Sequence, residues 1–112
     1  MSHRVTRAMF YFEIDGEPVA AADEDFGAWG DWFEKIENRR VAYTEINGYV
    51  VSTVFLGIDH GFVSERPVLY ETMIFGHPKL DVQRRYCTRA EAKAGHGAVV
   101  KTCALLDGGG DV

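Results

Sequence analysis

The sequence predicts an α+β domain, an antiparallel sheet of about four to five strands with two helices packed on it. Three observations lead there. Asn47-Gly48 sits between two β-rich runs, and a type I′ hairpin needs φ > 0 at both central residues, which that pair supplies best. Residues 8–14 alternate apolar and polar with the period of two that a half-buried strand requires. Two other stretches, the aromatic-rich 24–37 and the segment opening at Thr88, carry the spacing of amphipathic helices.

The elements follow in order. Ala8, Phe10, Phe12 and Ile14 define the apolar side of a first strand over 4–14, opposite Arg7, Met9, Tyr11 and Glu13. Asp15-Gly16-Glu17-Pro18 is turn chemistry, after which residues 19–21 pair back. A helix is expected from about Glu24 to Glu37, with Phe26, Trp29, Trp32, Phe33 and Ile36 on one stripe and Asp23 or Asp25 as cap. Gly27 and Gly30 cost it about 1 kcal/mol each relative to Ala, so its stability rests on aromatic packing. Strands 41–46 and 49–57 flank Asn47-Gly48. The second is apolar on both faces and so central, covered in part on each side. Strand 67–75 and a short strand near 84–87 complete the sheet. Thr88-Arg89-Ala90-Glu91 matches a capping box, which opens the last helix. Its buried stripe is Ala92, His96, Val99, Cys103 and Leu106, with His96 a hydrogen-bonded core residue. Gly95 and Gly97 let that helix approach the sheet closely.

With 112 residues there is room for a single core. The reading is one domain over 1–106 and a mobile tail over 107–112, where glycines crowd. Seven Phe, five Tyr and two Trp support a folded globule. The net charge of −5 disfavours a sequence-independent nucleic-acid binder, which needs basic surface to displace counterions. No apolar run approaches the roughly 20 residues of a membrane span, and the N-terminus lacks the apolar core of a signal peptide. A cytoplasmic location is expected, with Cys87 and Cys103 as free thiols.

If strands 49–57, 67–75 and 84–87 form a meander, the 58–66 loop and the start of the Thr88 helix share one end of the sheet. That end would gather Asp59, His60, Glu65 and Arg66 near Cys87, Thr88, Arg89 and Glu91. A helix N-terminus with an Arg or His beside it suits an anion, so His60, Arg66, Arg85, Thr88 and Arg89 are the candidate ligand-binding residues. Acid–base chemistry would need His60 oriented by Asp59 or Glu91. Alternatively, Asp59 makes an Asx turn and His60 packs on the loop. Glu71 is an acid on an apolar strand face and needs a partner such as Arg84, Arg85 or Arg7, or else serves as a functional carboxylate or an interface group. Asp59, His60, Glu71 and Glu91 are therefore the catalytic candidates. No ligand spacing makes a closed zinc site, and no phosphate-binding loop or nucleophile motif occurs. No metal and no cofactor are predicted.

Several segments resemble a group of small bacteriophage and prophage proteins without an assigned activity. They are Met9-Phe10-Tyr11-Phe12 with Asp15-Gly16-Glu17-Pro18, Trp32-Phe33-Glu34 leading to Arg40-Val41-Ala42, residues 51–60 and 69–75, then Arg85-Tyr86-Cys87-Thr88, Glu91-Ala92 and Gly95-His96. The resemblance spans about residues 8–100 and implies a setting, the host-cell cytoplasm, with no mechanism to carry over. The expected function is that of a phage accessory protein acting by protein or ligand binding, as a homodimer or on a host protein, in host takeover or anti-defence. The alternative is a small enzyme or small-ligand binder using the Asp-His/Glu group at one sheet end. A nucleic-acid-associated regulator ranks third, against the charge.

Overall fold

A computed structural model of the chain describes residues 7–61, 64–76 and 83–106. Along it run β1 (Tyr11–Ile14), β2 (Glu17–Ala20), a 3-10 turn at Asp23–Asp25, α1 (Phe26–Glu34), α2 (Ile36–Arg39), β3 (Arg40–Ile46), β4 (Tyr49–Phe55), β5 (Tyr70–Phe75), β6 (Gln83–Tyr86) and α3 (Arg89–Leu105). The architecture is α+β. The main sheet is an antiparallel meander of four strands in the order β3-β4-β5-β6, and β1 and β2 form a separate two-stranded hairpin. The expected tail, residues 107–112, and the first residues of the expected first strand lie outside the described residues.

Local chemistry accounts for the turns. Asn47 (φ 54°) and Gly48 (φ 80°) both take left-handed backbone, and Ile46 pairs with Tyr49 across them. Asp15 and Gly16 do the same between Ile14 and Glu17. The small hairpin is then tied to the end of β4: Tyr11 N–H donates to Gly57 O at 2.9 Å and Asp59 N–H to Met9 O at 2.8 Å.

The expected helix over 24–37 is broken. Lys35 is extended (ψ 106°), separating α1 from the single turn of α2. Two side chains from beyond the break take α1's last carbonyls: Asn38 Nδ2 donates to Trp32 O and Arg39 Nε to Phe33 O, each at 2.9 Å. The Arg39 guanidinium also lies 4.1 Å from the Phe33 ring centroid. These bonds replace the next helical turn and let the chain swing into β3. The aromatic stripe packs chiefly on β1, through Phe10–Trp29 and Phe12–Trp32 ring contacts at 4.8 and 5.5 Å. Its ends, Phe26 and Ile36, stay exposed.

The first strand also differs from its expected facing. Tyr11 is buried and Ile14 is half exposed, because the Tyr11/Glu13 side leans on β5 and α3 while α1 covers the Phe10/Phe12 side.

One face of the main sheet is covered by α3. Three cross-strand rows lie beneath it. Phe55 opposite Tyr70 belongs to one apolar cluster with Tyr11, Leu69 and Ala92. Val51 opposite Ile74 belongs to a second, with Tyr49, Val99 and Cys103. Between them Thr53 faces Thr72, and both are fully buried. His96 sits over that middle row. Its Nδ1 is 2.7 Å from Thr53 Oγ1 and its Nε2 2.8 Å from Thr44 Oγ1. Thr53 and Thr72 hydroxyls are 2.6 Å apart, and Tyr86 OH donates to Thr72 Oγ1 at 3.2 Å. The chain of bonds joins α3 to all four strands, and no buried side-chain polar atom among the described residues lacks a partner. Val50, Ser52, Val54, Met73 and Phe75 point to the opposite face and keep partial or full exposure, so β4 is less covered there than its apolar pattern predicts.

Gly95 is where α3 meets β6: a Cβ there would overlap the Tyr86 ring, whereas one on Gly97 would meet nothing within 4 Å. Gly95→Ala should therefore lower stability by about 1–3 kcal/mol through overpacking. Gly97→Ala should raise it by up to about 1 kcal/mol through helix propensity. Urea unfolding of both variants checks the opposite signs. Burial holds the His96 imidazole below its ordinary 6.5. The unfolded chain then binds a proton where the folded one does not, so stability is complete above about pH 6.5 and falls as the pH drops from there. In His96→Gln that slope should flatten, as read from unfolding midpoints between pH 7.5 and about 5.

Candidate functional site

The meander brings the loop after β4 and the start of α3 to the same end of the sheet. Leu69 N–H donates to Tyr86 O at 3.1 Å, closing the approach to β5 against the end of β6. A cleft of about 440 Å³ opens there, between Gly16 and the start of β2 at Glu17-Pro18, the Arg66-Pro67 segment and the corner from Cys87 to Ala90.

Glu13 ties the first hairpin to the start of β5 and to the start of α3. Its side chain is only 6% exposed, and it accepts from Arg89 Nη1 at 2.7 Å and from Tyr70 OH at 2.6 Å. Burial, and then the bond to Glu13, raise the Tyr70 phenol far above its usual range, so it remains a donor. The first hairpin, the start of β5 and the first turn of α3 are thus one unit. Thr88 caps α3: its Oγ1 accepts from Glu91 N–H at 3.1 Å, while Glu91 Oε1 accepts from Thr88 N–H at 3.0 Å. The hydrogen bond from the Thr88 side chain holds the Glu91 carboxyl below its usual range against a small cost of burial, with the Thr88 N–H assisting.

Arg66, Thr88 and Arg89 line the cleft together. Arg89 is neutralised by Glu13. Arg66 is exposed and has no ion pair among the described residues. Pro18, Pro67 and Leu69 give the walls an apolar character, and the exposed Glu17 adds an acid to the lining alongside the basic Arg66.

The other candidates lie elsewhere. Asp59 accepts from Gly61 N–H at 2.7 Å and Val68 N–H at 3.0 Å through Oδ1, and from Arg7 Nε at 2.7 Å through Oδ2. Arg7 also donates to the Gly61 and Ser64 carbonyls. Asp59 is therefore the hub of an Asx-type loop, with its oxygens committed. His60 donates its backbone N–H to Val68 O, and among the described residues its ring has no hydrogen-bond partner. Glu71 points to the face away from α3 and accepts from Arg85 Nε at 2.9 Å and Gln83 Nε2 at 2.8 Å. Arg85 is thus drawn away from the cleft. The four acid–base candidates do not converge, and among the described residues no three His, Cys, Asp or Glu groups are placed to hold a metal.

Sequence reasoning missed Glu13, Glu17, Pro18 and Leu69 as parts of this site. A usable signal existed for Glu13, which shares its strand face with Tyr11, an aromatic two residues away. Cys87 stands at the edge of the cleft as a free thiol, and burial raises the Cys103 thiol above its ordinary value.

Asp59→Asn should cost about 1–3 kcal/mol at neutral pH, because it removes the charged partner of Arg7. Burial pushes the Asp59 carboxyl up, but the Gly61 and Val68 N–H groups and Arg7 together hold it below 3.8. Its contribution is complete above that pH and is lost as the pH falls through the folded value, so the gap between variant and wild type should close in acid. Chemical unfolding at pH 7 and pH 3 measures it.

No family model matches the chain, and no solved structure does. No helix among the described residues is long and apolar enough to cross a membrane. Among curated proteins, the chain is similar to a poly(ribitol-phosphate) beta-glucosyltransferase of Bacillus spizizenii (strain ATCC 23059 / NRRL B-14472 / W23), with 33% identity over 93 residues. That match takes in 73% of this chain but only 14% of the relative's length.

Proposed function

We propose that this chain is a small binding module that docks an extended segment of a partner protein in the cleft at the start of α3. The observation that carries the reading is the character of that cleft. Pro18, Pro67 and Leu69 are among its apolar lining residues, both Arg66 and Glu17 line it, and none of the four acid–base candidates does. A site of mixed charge and apolar lining suits an apolar side chain flanked by polar backbone better than a free anion. The similarity to a small share of a much larger enzyme supports a module that accompanies other machinery. The resemblance to small phage proteins adds a setting, a bacterial host whose own proteins supply the partner.

Ala90 is exposed and lines the cleft in the first turn of α3, so Ala90→Trp fills the space without opening the core. Proteins captured from a host lysate by the wild-type chain should be lost from A90W and weakened in R66E, with unchanged thermal unfolding. Retention of the same proteins by folded A90W would remove the cleft from the binding surface. Titration with inorganic phosphate, read at the Arg66 and Thr88 amide resonances, distinguishes the small-ligand alternative. Saturable shifts there at micromolar phosphate would favour an anion over a peptide.

A further inference from the structure

β3 is an edge strand, seven residues long, and among the described residues its only strand partner is β4. Among the described residues its outer backbone groups take part in no hydrogen bond to another segment. Such an edge is a template for a further strand. Its exposed side chains are ordered. Arg40, Tyr43 and Glu45 lie opposite Val54, Ser52 and Val50, on the sheet face away from α3. The bulge between Arg40 and Ala42 puts Arg40 in line with the other two. Its guanidinium lies 5.1 Å from the Tyr43 ring centroid, and Tyr43 OH donates to Glu45 Oε1 at 3.2 Å. Neither Arg40 nor Glu45 has an ion pair among the described residues.

A strip that runs basic, aromatic, acidic along an open edge is complementary to itself when reversed. We propose that the β3 edge is a self-association surface whose occupant is a second copy of this chain. The two copies pair antiparallel about Tyr43 and merge two four-stranded sheets into one of eight. Arg40 of each copy then meets the Glu45 end of the other, and the two Tyr43 rings meet at the two-fold axis. One strand seam buries less than the ~800 Å² per partner of a standard interface, so the dissociation constant falls at about micromolar or weaker. β3 lies at the opposite edge of the sheet from β6, which leads into the cleft corner. A dimer built this way presents both clefts, and binding to a partner with two docking segments gains by effective concentration. The inference stands on the edge geometry and does not rest on the cleft reading.

Sedimentation velocity over about 5–500 µM tests it, the range bracketing a weak interface. The wild-type chain should shift from monomer to dimer. R40E and E45R should each weaken the dimer by at least about tenfold, since like charges then face each other across the seam. Mixed one to one, R40E and E45R should recover a heterodimer, a result that no effect within one chain and no folding defect produces. A wild-type chain that stays monomeric to the top of the range would overturn the proposal. So would variants that dimerise as wild type does, or a mixture that remains monomeric.

Discussion

The buried row of hydroxyls under His96 is the constraint on which the rest of the molecule depends. Thr44, Thr53 and Thr72 belong to three adjacent strands, Tyr86 to the fourth, and the imidazole meets two of the hydroxyls with both ring nitrogens. Thr53, Thr72 and His96 are buried and Thr44 and Tyr86 partly so, and a buried group left unpaired would cost on the order of 1–3 kcal/mol. His96 keeps both of its bonds only if α3 holds its place, so they resist rotation and sliding of the helix over the sheet. Hydrophobic packing alone would tolerate small slides of a helix over a sheet; a directional polar layer between two apolar clusters does not.

From that layer the candidate site follows. With α3 pinned at His96, its first turn is held two turns away over the ends of β5 and β6, close enough for Arg89 to reach Glu13. Glu13 in turn fixes the small hairpin, whose Gly16, Glu17 and Pro18 line the cleft. The cleft is thus walled by elements that separate ion pairs and hydrogen bonds keep in place, and its shape is not left to a single loop. Gly95 contributes from the other direction by letting Tyr86 lie against the helix.

The two faces of the sheet have different fates for a reason visible in their side chains. The face under α3 carries Tyr49, Val51, Thr53 and Phe55, all nearly inaccessible. The other mixes Val50, Ser52, Val54 and Met73 with the Glu71–Arg85 ion pair and the Arg40-Tyr43-Glu45 strip. Such a surface tolerates water yet offers apolar area, as recognition surfaces do. The edge beside it is where a further strand finds both backbone groups and matching charges.

How much of this was legible beforehand depended on whether the deciding interaction was local. The α+β class, the Asn47-Gly48 hairpin, the Thr88 capping box and the buried stripe Ala92, His96, Val99, Cys103 could all be read from residues a few positions apart, because φ > 0, reciprocal capping and periodicity are properties of short segments. The stripe's expected last member, Leu106, instead lies past the end of α3 and is exposed. The break at Lys35, the burial of Tyr11 and Glu13, and the commitment of Asp59 to Arg7 could not be read that way. The break turns on Asn38 and Arg39 reaching six residues back to α1's last carbonyls, and the others on partners far along the chain, 52 residues away for Asp59 and 76 for Glu13. Likewise the meander put Arg66 beside Thr88 and Arg89, but pleating sent Arg85 and Glu71 to the opposite face. Sequence pattern alone determined the Asn47-Gly48 hairpin, the capped last helix and which ends of the main sheet meet. Tertiary structure decided which side chains at those ends are free to act, because a charged group's availability depends on the partner that reaches it first.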